Sequence, residues 1–364
     1  MSLVLVVNAG SSSLKLSVLD DEDAVLAADD VNEWDGQDTS ALARLIEPFG
    51  PLDAVGHRVV HGGPDLRGPV VVDADTEAAI AALTPLAPLH QPRALAGIRA
   101  AAALLPGVPA VACFDTAFHS TLPAAASTYA LPLAWRQLGV RRYGFHGLSH
   151  AWASRRAAEL LERPVEELRL VTAHLGAGAS LCAVAGGTSV DTTMGFTPLE
   201  GLVMATRAGS VDPGALLWLQ REHGLSASDL EAALEQQSGL VGLFGPPGDM
   251  RDVEAGLARG GADARLAFDV YVHRLRSSIA SMTSSLGGLD ALVFTGGVGE
   301  HSPQVRAAAC ASLAYLGVAL DTTANESATA DANVGHPDAT AKTLVVTARE
   351  DRQIAAETRS VVGG

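Results

Sequence analysis

The sequence predicts an α/β protein built from two related halves, and three observations carry this prediction. Apolar strands alternate with helix-like segments along the chain, an order that favours a layered α/β architecture. The 364 residues exceed what one ordinary hydrophobic core accommodates, so we expect two domains. An apolar strand, a glycine-rich turn and a second apolar strand occur twice, in LVLVVNAGSSSLKLSVLD at residues 3–20 and in RLVTAHLGAGASLCAVAGGTSVDT at residues 169–192. The return of this pattern indicates an internal duplication.

The segments between and after the two hairpins also have recognisable patterns. Helix-like apolar spacing interrupted by prolines covers residues 76–105, and VPAVACFDTAFH predicts a short buried strand that ends at Asp115. Ser149 is a candidate N-cap for the helix SHAWASRRAAELL. Two later helices, SASDLEAALEQQSG and ARLAFDVYVHRLRSSIASMTSSLGG, are expected to end at glycines. LDALVFTGGVGEHSP predicts a buried strand and a glycine-rich loop, and KTLVVTAREDRQIAAETRSV predicts a last strand, a polar turn and a final helix.

The composition excludes several classes of partner. Acidic residues outnumber basic ones 41 to 25, for a formal net charge of −16, and such a field repels nucleic acids and anionic membranes. Three cysteines without CxxC spacing (Cys113, Cys182 and Cys310) predict buried, reduced thiols. The N-terminal MSLVLVV lacks the basic region of a signal peptide, and no apolar run reaches the length of a bilayer span. We therefore expect a soluble, cytoplasmic protein that binds neither nucleic acid nor membrane.

The first glycine turn has the residues of a phosphate cradle. Asn8, Ser11, Ser13 and Lys15 offer hydrogen-bond donors, and Gly10 allows the backbone to approach a phosphate closely. The Walker spacing G-x-x-x-x-G-K-[ST] is absent from the chain. An ordinary hairpin with a solvated lysine stays open as the alternative.

The stretch GHRVVHGG raises the question of a metal site. His57 and His61 have the i, i+4 spacing that binds zinc on a helix. The two valines between them favour a strand, on which the imidazoles would lie ~13 Å apart, so zinc is not expected. On a strand Arg58 and Val60 share one face, a pairing that suits a short carboxylate with a small alkyl tail. A partly buried structural arginine is the alternative.

Two further segments carry candidate catalytic groups. Asp115 ends a strand, where catalytic acids and Mg²⁺-associated carboxylates often lie in α/β folds. In RRYGFHGLSH, His146 lies between Gly144 and Gly147, so the backbone orients a side chain that could donate to a transferring phosphoryl group. His146 and His150 each also have a purely structural interpretation.

The C-terminal half supplies a cation, a nucleotide loop and an acid. Arg207 follows a short apolar, helix-like segment in the long non-periodic stretch 191–214 and could stabilise a phosphoryl-transfer transition state, although a surface salt bridge is the alternative. GGVGE at residues 296–300 allows close approach to a nucleotide. GDMRDVE predicts a polar turn whose acid and arginine could meet a ribose or a base. Glu350, expected at the end of the last strand, could bind Mg²⁺ directly or through water.

Five of these segments resemble the acetate kinase family within the acetokinase group: NAGSSSLK, GHRVVHGG, FDTAFH, RRYGFHGLSH and DTTMGFTPLEGLVMATRAGSVDPG. The resemblance extends over almost the whole chain. It implies two duplicated actin-like, or ribonuclease H-like, domains of order βββαβαβα around an interdomain nucleotide cleft. The first domain would comprise residues 1–117 and 352–364, and the second residues 118–351. In that fold two β-hairpin turns hold phosphates, so no P-loop is needed.

The resemblance also implies a reaction and its partners. The expected reaction is reversible, in-line transfer of the ATP γ-phosphoryl group to acetate, giving acetyl phosphate and ADP, with Mg²⁺, or alternatively Mn²⁺, as cofactor. The expected partners are a small carboxylate, a nucleotide and a second copy in a homodimer. Two alternatives stay open: a propionate or butyrate kinase of the same family, and an actin-like nucleotide-binding switch protein without acyl chemistry.

The site residues implied by the resemblance form four sets. The catalytic set is Arg58, Asp115, His146, His174 and Arg207. The acyl pocket is Arg58, Val60, Leu89, Phe145 and Pro198. The nucleotide set is Asn8, Ser11, Ser13, Lys15, His174, Gly176, Gly178, Asp249, Met250, Arg251, Gly296, Gly297, Val298 and Gly299. The metal set is Asn8 and Glu350.

Several positions depart from the family pattern. Ala177 stands where the second hairpin usually has asparagine, and Gln91 and Ala94 stand in LHQPRA where LHNPxN is usual. His301 and Arg349 each replace an asparagine. We expect these changes to leave the fold intact and to act on nucleotide affinity, turnover and acyl preference.

The chemistry expected from this set is charge neutralisation. A carboxylate is ionised at neutral pH, so the attacking group needs no general base; the difficulty is to bring one anion to another. We expect Arg58 to bind the acyl carboxylate, Arg207 to bridge it to the phosphoryl group, and His146 to donate to the phosphoryl oxygens. Asp115 and Glu350 would organise Mg²⁺, and the three cationic side chains would converge on one cavity.

Overall fold

A computed structural model describes residues 2–10 and 13–363 of the chain. These residues form two compact units. Unit 1 combines the chain up to Ser120, the short segment Phe145–Trp152 and the chain from Arg349 onward. Unit 2 combines Thr121–Gly144 with Ala153–Ala348. Each unit is built on one six-stranded sheet.

The sheet of unit 1 has three antiparallel strands followed by a parallel part. Its strands are β1 (Val4–Ala9), β2 (Ser13–Leu19), β3 (Val25–Asn32), β4 (Ala54–Val59), β5 (Val70–Val71) and β6 (Ala110–Phe114). They lie in the order β3-β2-β1-β4-β6-β5. β1 is antiparallel to β2 and parallel to β4, β4 is parallel to β6, and β5 is an antiparallel edge strand.

The sheet of unit 2 repeats this topology. Its strands are β7 (Arg169–Leu175), β8 (Ala179–Ala185), β9 (Thr188–Thr192), β10 (Ala291–Thr295), β11 (Ala332–Asn333) and β12 (Lys342–Val345). They lie in the order β9-β8-β7-β10-β12-β11, with the same antiparallel and parallel senses at corresponding positions. The duplication predicted from the two glycine-turn hairpins is therefore confirmed.

Helices fill the segments between the strands. In chain order the α-helices are α1 (Ser40–Ile46), α2 (Ala74–Ala82), α3 (Gln91–Leu104), α4 (Ala124–Ser127), α5 (Leu133–Gln137), α6 (Gly147–Leu161), α7 (Pro213–His223), α8 (Ala227–Gln236), α9 (Gly239–Phe244), α10 (Met250–Ala258), α11 (Ala262–Leu286), α12 (Gly296–His301), α13 (Pro303–Cys310), α14 (Thr322–Ser327) and α15 (Glu350–Val362). Short 3₁₀ helices cover Thr84–Leu86, Ala117–Thr121, Val165–Glu167 and Ala314–Leu316. None of the helices described is both long enough and apolar enough to cross a bilayer.

Successive strand side chains point to opposite sides of a sheet, and the central strands of unit 1 carry apolar residues that are buried on both faces. On one face Leu5, Val7 and Val55 pack with apolar residues of α1. On the other face the core contains Val4, Val6, Cys113 and two residues of α15, Ile354 and Ala355. The C-terminal helix thus closes the sheet that the N-terminal strand begins.

Of the predicted helix ends, the glycine end of α11 is confirmed, whereas the glycine end of α8 and the N-cap of α6 are wrong. Ser226 caps α8 in a capping box with Asp229, and α11 ends at Gly287 in the left-handed conformation. α8 ends at Gln236, before the glycine expected to terminate it. Ser149 does not cap α6, which begins at Gly147. The backbone of His146 already lies in the left-handed region (φ 57°), outside the helix.

Three segments predicted as loops, turns or strand ends begin helices instead. The GGVGE segment forms α12 directly after β10. Gly296 adopts φ +77°, and a Cβ at this position would lie only 2.8 Å from the carbonyl oxygen of Leu175, so the turn into the helix requires glycine. In GDMRDVE, Asp249 accepts a hydrogen bond from the backbone N–H of Arg251 and caps α10. Glu350 begins α15 and does not end β12.

We expect Gly56→Ala to destabilise unit 1, because α15 packs closely on β4. A Cβ at Gly56 would lie 2.3 Å from Thr358 Oγ1 and 2.7 Å from Ile354 Cγ2. Overpacking of this kind should lower the free energy of unfolding by about 1–3 kcal/mol, measured by urea denaturation. The matched control is Gly50→Ala, where a Cβ meets no described atom within 4 Å. Equal effects of the two substitutions would contradict the close packing.

Candidate active site

The end of the parallel strands in unit 1 holds a partly buried arginine. Arg58 lies near the C-terminal end of β4, Asn8 near the end of β1, and Asp115 directly after β6. Arg58 Nε and Nη2 donate to the two oxygens of Asp115 over 3.0 and 2.6 Å, and Nη1 donates to Asn8 Oδ1 over 3.1 Å. This two-point ion pair fixes the plane of the guanidinium as well as its position.

A second carboxylate joins this cluster from the C-terminal helix. Asn8 Nδ2 donates to Glu350 Oε2 over 3.4 Å. The cluster therefore has two carboxylates and one guanidinium, and its formal charge is −1. Burial alone lowers the pKa of Arg58, but the carboxylates of Asp115 and Glu350 outweigh it and hold this pKa above its usual value. Burial raises the pKa of Asp115, Glu350 adds to that effect, and Arg58 opposes it.

This negative excess fits a hard divalent cation. Carboxylate and amide oxygens are the ligands that Mg²⁺ prefers, and the ion commonly takes only one or two carboxylates together with phosphate oxygens. Within residues 2–10 and 13–363, no group of three or more His, Cys, Asp or Glu side chains is arranged to hold a metal ion. The predicted metal residues Asn8 and Glu350 are hydrogen-bonded to each other beside Asp115, so the donor set fits Mg²⁺.

The turn that carries His146 is fixed to the end of β6. The backbone N–H of Gly147 donates to the carbonyl oxygen of Asp115 over 2.8 Å. A Cβ at Gly147 would lie only 2.2 Å from that oxygen, so this contact requires glycine. The neighbouring Phe145 is buried, and its carbonyl oxygen lies 3.0 Å from His119 Nε2. His146 therefore has a defined position on a strained backbone next to Asp115.

The two histidines of GHRVVHGG are part of the core. His57 lies on β4, and the ring of His61 packs edge-on against Phe145 with centroids 5.5 Å apart. Burial lowers the pKa of His57 to about 3 and that of His61 to about 4. Both imidazoles are therefore neutral near pH 7, and Arg58 is the cation of this strand.

The two glycine turns close in the same way. In the first turn, the N–H of Gly10 donates to the carbonyl oxygen of Ser13 over 2.7 Å. In the second turn, the N–H of Gly176 donates to the carbonyl oxygen of Gly178 over 2.9 Å. Ser11 lies outside the described residues. Lys15 lies on β2, with its exposed Nζ 4.0 Å from Asp30, which is the arrangement of a solvated lysine.

Unit 2 contains a cavity of about 390 Å³, a size typical of small-molecule sites. Several residues of the predicted nucleotide set line it together: Gly176, Asp249, Met250, Arg251, Gly297 and Val298. Ala177 and His301, two of the departures from the family pattern, line it as well. These residues come from three separate chain segments that meet around one space, an arrangement typical of small-molecule sites.

Other members of the nucleotide set have different surroundings. Gly178, Gly296, Gly299 and His174 do not line the cavity, and Asn8, Ser13 and Lys15 belong to unit 1. Gly296 serves the turn between β10 and α12 described above. Arg251 is exposed and pairs with Asp249, and this hydrogen bond lowers the pKa of that carboxyl.

Part of the cavity wall was missed by the sequence analysis: Ala205, Leu240, Pro247, Gly248, Glu254, Tyr271 and Ser302. Ser302 donates to Glu254. The hydroxyl of Tyr271 is buried without a hydrogen-bond partner among the described residues. Tyr271 and Glu254 lie on the regular helices α11 and α10, where their spacing resembles that of any amphipathic helix and gives no signal of a ligand.

The stretch that carries Arg207 is irregular between β9 and α7, so the short helix expected before this arginine is absent. Arg207 Nη1 donates to the carbonyl oxygen of Pro198 over 2.7 Å. Burial lowers the pKa of Arg207, and Glu235 opposes that effect. Of the predicted acyl-pocket residues, Pro198 belongs to unit 2, whereas Arg58, Val60, Leu89 and Phe145 belong to unit 1. Val60 and Phe145 are buried, and Leu89 is exposed.

The remaining departures have identifiable contacts. Gln91 is buried at the start of α3; its Nε2 donates to the carbonyl oxygen of His61 over 3.0 Å and its Oε1 accepts from the N–H of that residue over 3.3 Å. Arg349 pairs with Asp351 through two hydrogen bonds of 2.9 Å just before Glu350. The carbonyl oxygen of Ala177 accepts from the N–H of Ala205 over 3.1 Å.

Comparison with known proteins identifies this arrangement. Residues 43–356 match the acetokinase family. An acetate kinase of Synechococcus sp. (strain JA-2-3B'a(2-13)) is 51% identical over 331 residues, which cover 91% of this chain and 81% of that protein. The crystal structure of Porphyromonas gingivalis acetate kinase matches all of both chains with a TM-score of 0.92 and 35% identity. That of a propionate kinase from Francisella tularensis subsp. tularensis SCHU S4 covers 99% of this chain and 100% of its own, with a TM-score of 0.91 and 34% identity.

The duplicated sheets are thus the actin-like, ribonuclease H-like fold of ATP-dependent kinases, as predicted. Within that class, the chain belongs to the acetokinase family.

We expect Gly297→Val to weaken nucleotide binding without destabilising the fold. A Cβ at Gly297 meets no described atom within 4 Å, so the protein itself leaves this space open beside the cavity. Crowding a bound nucleotide should raise the Kd for ADP by about tenfold or more, measured by titration calorimetry. Thermal denaturation is the control, with a Tm expected within about 2 °C of wild type. Unchanged ADP affinity would exclude Gly297 from the binding surface.

Proposed function

We propose that the chain transfers the γ-phosphoryl group of ATP to acetate, reversibly giving acetyl phosphate and ADP. The observation that carries this proposal is the cluster of Arg58, Asp115, Asn8 and Glu350, because its oriented guanidinium and its carboxylate excess suit a small carboxylate and a divalent cation. Family membership and the cavity of unit 2 support the nucleotide as the phosphoryl donor.

The proposed mechanism is direct transfer. An acetate oxygen forms a bond to the γ-phosphorus while the bond from that phosphorus to the bridging oxygen breaks, and ADP leaves with that electron pair. Acetate is already ionised, so no general base is required. Arg58 binds the acceptor carboxylate, Arg207 bridges it to the moving group, and His146 donates to the phosphoryl oxygens, which lowers the repulsion between two anions.

Mg²⁺ is the proposed cofactor. Asn8 and Glu350 would hold it beside Asp115, and it would neutralise negative charge on the nucleotide phosphates when bound. Mn²⁺ prefers similar oxygen ligands. Asn8 orients Glu350 through its amide and accepts from Arg58 through its oxygen, so one side chain links the arginine to the metal-binding carboxylate.

The acceptor is proposed to be acetate because an arginine beside a buried valine, Val60, suits a short carboxylate with a small alkyl tail. Propionate is the second candidate, since a propionate kinase shares the fold at 34% identity and one methylene is worth only about 1–3 kcal/mol of discrimination. Rates with formate through valerate and MgATP, with hydroxylamine to trap acyl phosphate, decide between them. If none of these acids gives a trapped acyl phosphate, the proposed function is overturned.

We expect Arg207→Ala to remove phosphoryl transfer and keep nucleotide binding. Losing an arginine that stabilises the transition state should lower kcat by about a thousandfold, whereas the Kd for ADP should stay within about twofold because Arg207 does not line the cavity. The control is Arg265→Ala, which removes an exposed arginine of α11 paired with Asp269. Equal loss in both variants, or full activity in Arg207→Ala, would contradict the assignment.

We also propose a cytoplasmic homodimer that uses α7. No residue of this 11-residue helix is buried, and Leu217 and Trp218 are 56% and 49% exposed, which supports α7 as the contact surface. Trp218→Glu should shift the sedimentation of the protein from dimer to monomer. Leu266→Glu, which changes a 54% exposed leucine of α11, should leave the dimer intact. A wild-type protein that sediments as a monomer would refute the proposed dimer.

A further inference from the structure

A cluster of three polar side chains lies at the base of the loop that carries Arg207. Glu200 accepts a hydrogen bond from Arg142 Nη2 over 2.9 Å and another from the hydroxyl of Tyr129. The guanidinium of Arg142 lies over the Tyr129 ring, 5.5 Å from its centroid. We call Tyr129, Arg142 and Glu200 the Glu200 cluster. The side chains of Arg142 and Glu200 are 17% and 36% exposed, so the ion pair is partly shielded from solvent.

The Glu200 cluster bonds directly to the backbone of this loop. Tyr129 Oη accepts from the N–H of Phe196 over 3.0 Å. Arg142 Nη1 donates to the carbonyl oxygens of Met194 and Thr193 over 2.9 and 3.2 Å. The loop therefore has three backbone groups fixed by side chains distant in sequence, and this restrains a segment that lacks regular secondary structure.

Gly195 allows the cluster to close. A Cβ at this position would lie 1.8 Å from Glu200 Oε2 and 2.1 Å from Tyr129 Oη. Its carbonyl oxygen accepts from the N–H groups of Tyr143 and Gly144 over 3.0 and 3.3 Å. Those two residues immediately precede Phe145 and His146 in the sequence. The cluster thus fixes the loop to the segment that leads into the predicted catalytic histidine.

The same loop carries two residues of the proposed site. Pro198 lies two positions before Glu200, and its carbonyl oxygen accepts from Arg207 Nη1 over 2.7 Å. A shift of the loop would move the Pro198 backbone and, through that hydrogen bond, the guanidinium of Arg207. Misplacement by about 1 Å of groups that align a reaction can cost about a hundredfold in rate.

We propose that the Glu200 cluster is a positioning device for the acceptor side of the site, which sets Arg207 for transfer and Pro198 for selection of acyl chain length. This inference rests on the proposed function. Its residues act through Pro198 and Arg207 and not on the substrate. None of the three residues lines the cavity of unit 2. Substitutions in the Glu200 cluster should therefore change the kinetics with the carboxylate and leave nucleotide affinity unchanged.

The test compares Tyr129→Phe and Glu200→Gln with wild type. Both changes keep the size of the side chain and remove either the hydroxyl or the charge. We expect kcat/KM for acetate to fall by about tenfold or more, and the ratio of kcat/KM between acetate and propionate to change by about threefold or more. The Kd for ADP should stay within about twofold. A merely structural role would not change the acyl ratio.

Asp290→Asn is the matched control. Asp290 forms a two-point ion pair with Arg169 over 3.0 and 3.2 Å at the start of β7 in the same unit, and it has no contact with the loop among the hydrogen bonds described. Acetate kinetics within about twofold of wild type in Tyr129→Phe and Glu200→Gln, or equal losses in Asp290→Asn, would overturn the proposal. A wild-type protein that phosphorylates no short carboxylate overturns the proposed function first, and this inference with it.

Discussion

The ion pair between Arg58 and Asp115 is the constraint on which the proposed acceptor site depends. Both groups lie where parallel strands end, and the Asp115 side chain is only 2% exposed. A guanidinium in such a place without its partner would be strongly destabilising. With the partner, two hydrogen bonds fix its plane, and Asn8 takes a third N–H group. The arginine is thus a fixed charge in a protein whose overall charge is strongly negative.

The same topology serves different purposes in the two units. In unit 1 the ends of β1, β4 and β6 carry an amide, a guanidinium and a carboxylate. In unit 2 the end of β10 leads directly into α12, which lines the cavity. The first two glycines of GGVG have different roles. Gly296 allows the turn against Leu175, and Gly297 leaves space in the cavity wall. One short motif therefore combines a requirement of the fold with a feature of the proposed nucleotide site.

Sequence patterns predicted most strands because alternating and fully apolar runs are local signals. α12 was missed because a glycine-rich segment has low helix propensity, and the tight turn of Gly296 against Leu175 is a tertiary contact that no local pattern reveals. The start of α6 was misplaced because nothing local reveals the left-handed backbone of His146. Motifs identified six residues of the cavity wall, but Tyr271 and Glu254 are brought there by the helices α11 and α10. Arg142 and Glu200 are 58 residues apart, and no pattern along the chain connects them.

The position of α15 has a consequence for biosynthesis. Ile354 and Ala355 cover a sheet face whose strands are made first, and Glu350 completes the cluster around Arg58. Because β1 to β6 are translated long before α15, this apolar face of the sheet cannot be covered until residues 350–362 have emerged from the ribosome. The half of the molecule that is translated first is the half that finishes folding last, so during synthesis its unfinished face is available to chaperones and to aggregation.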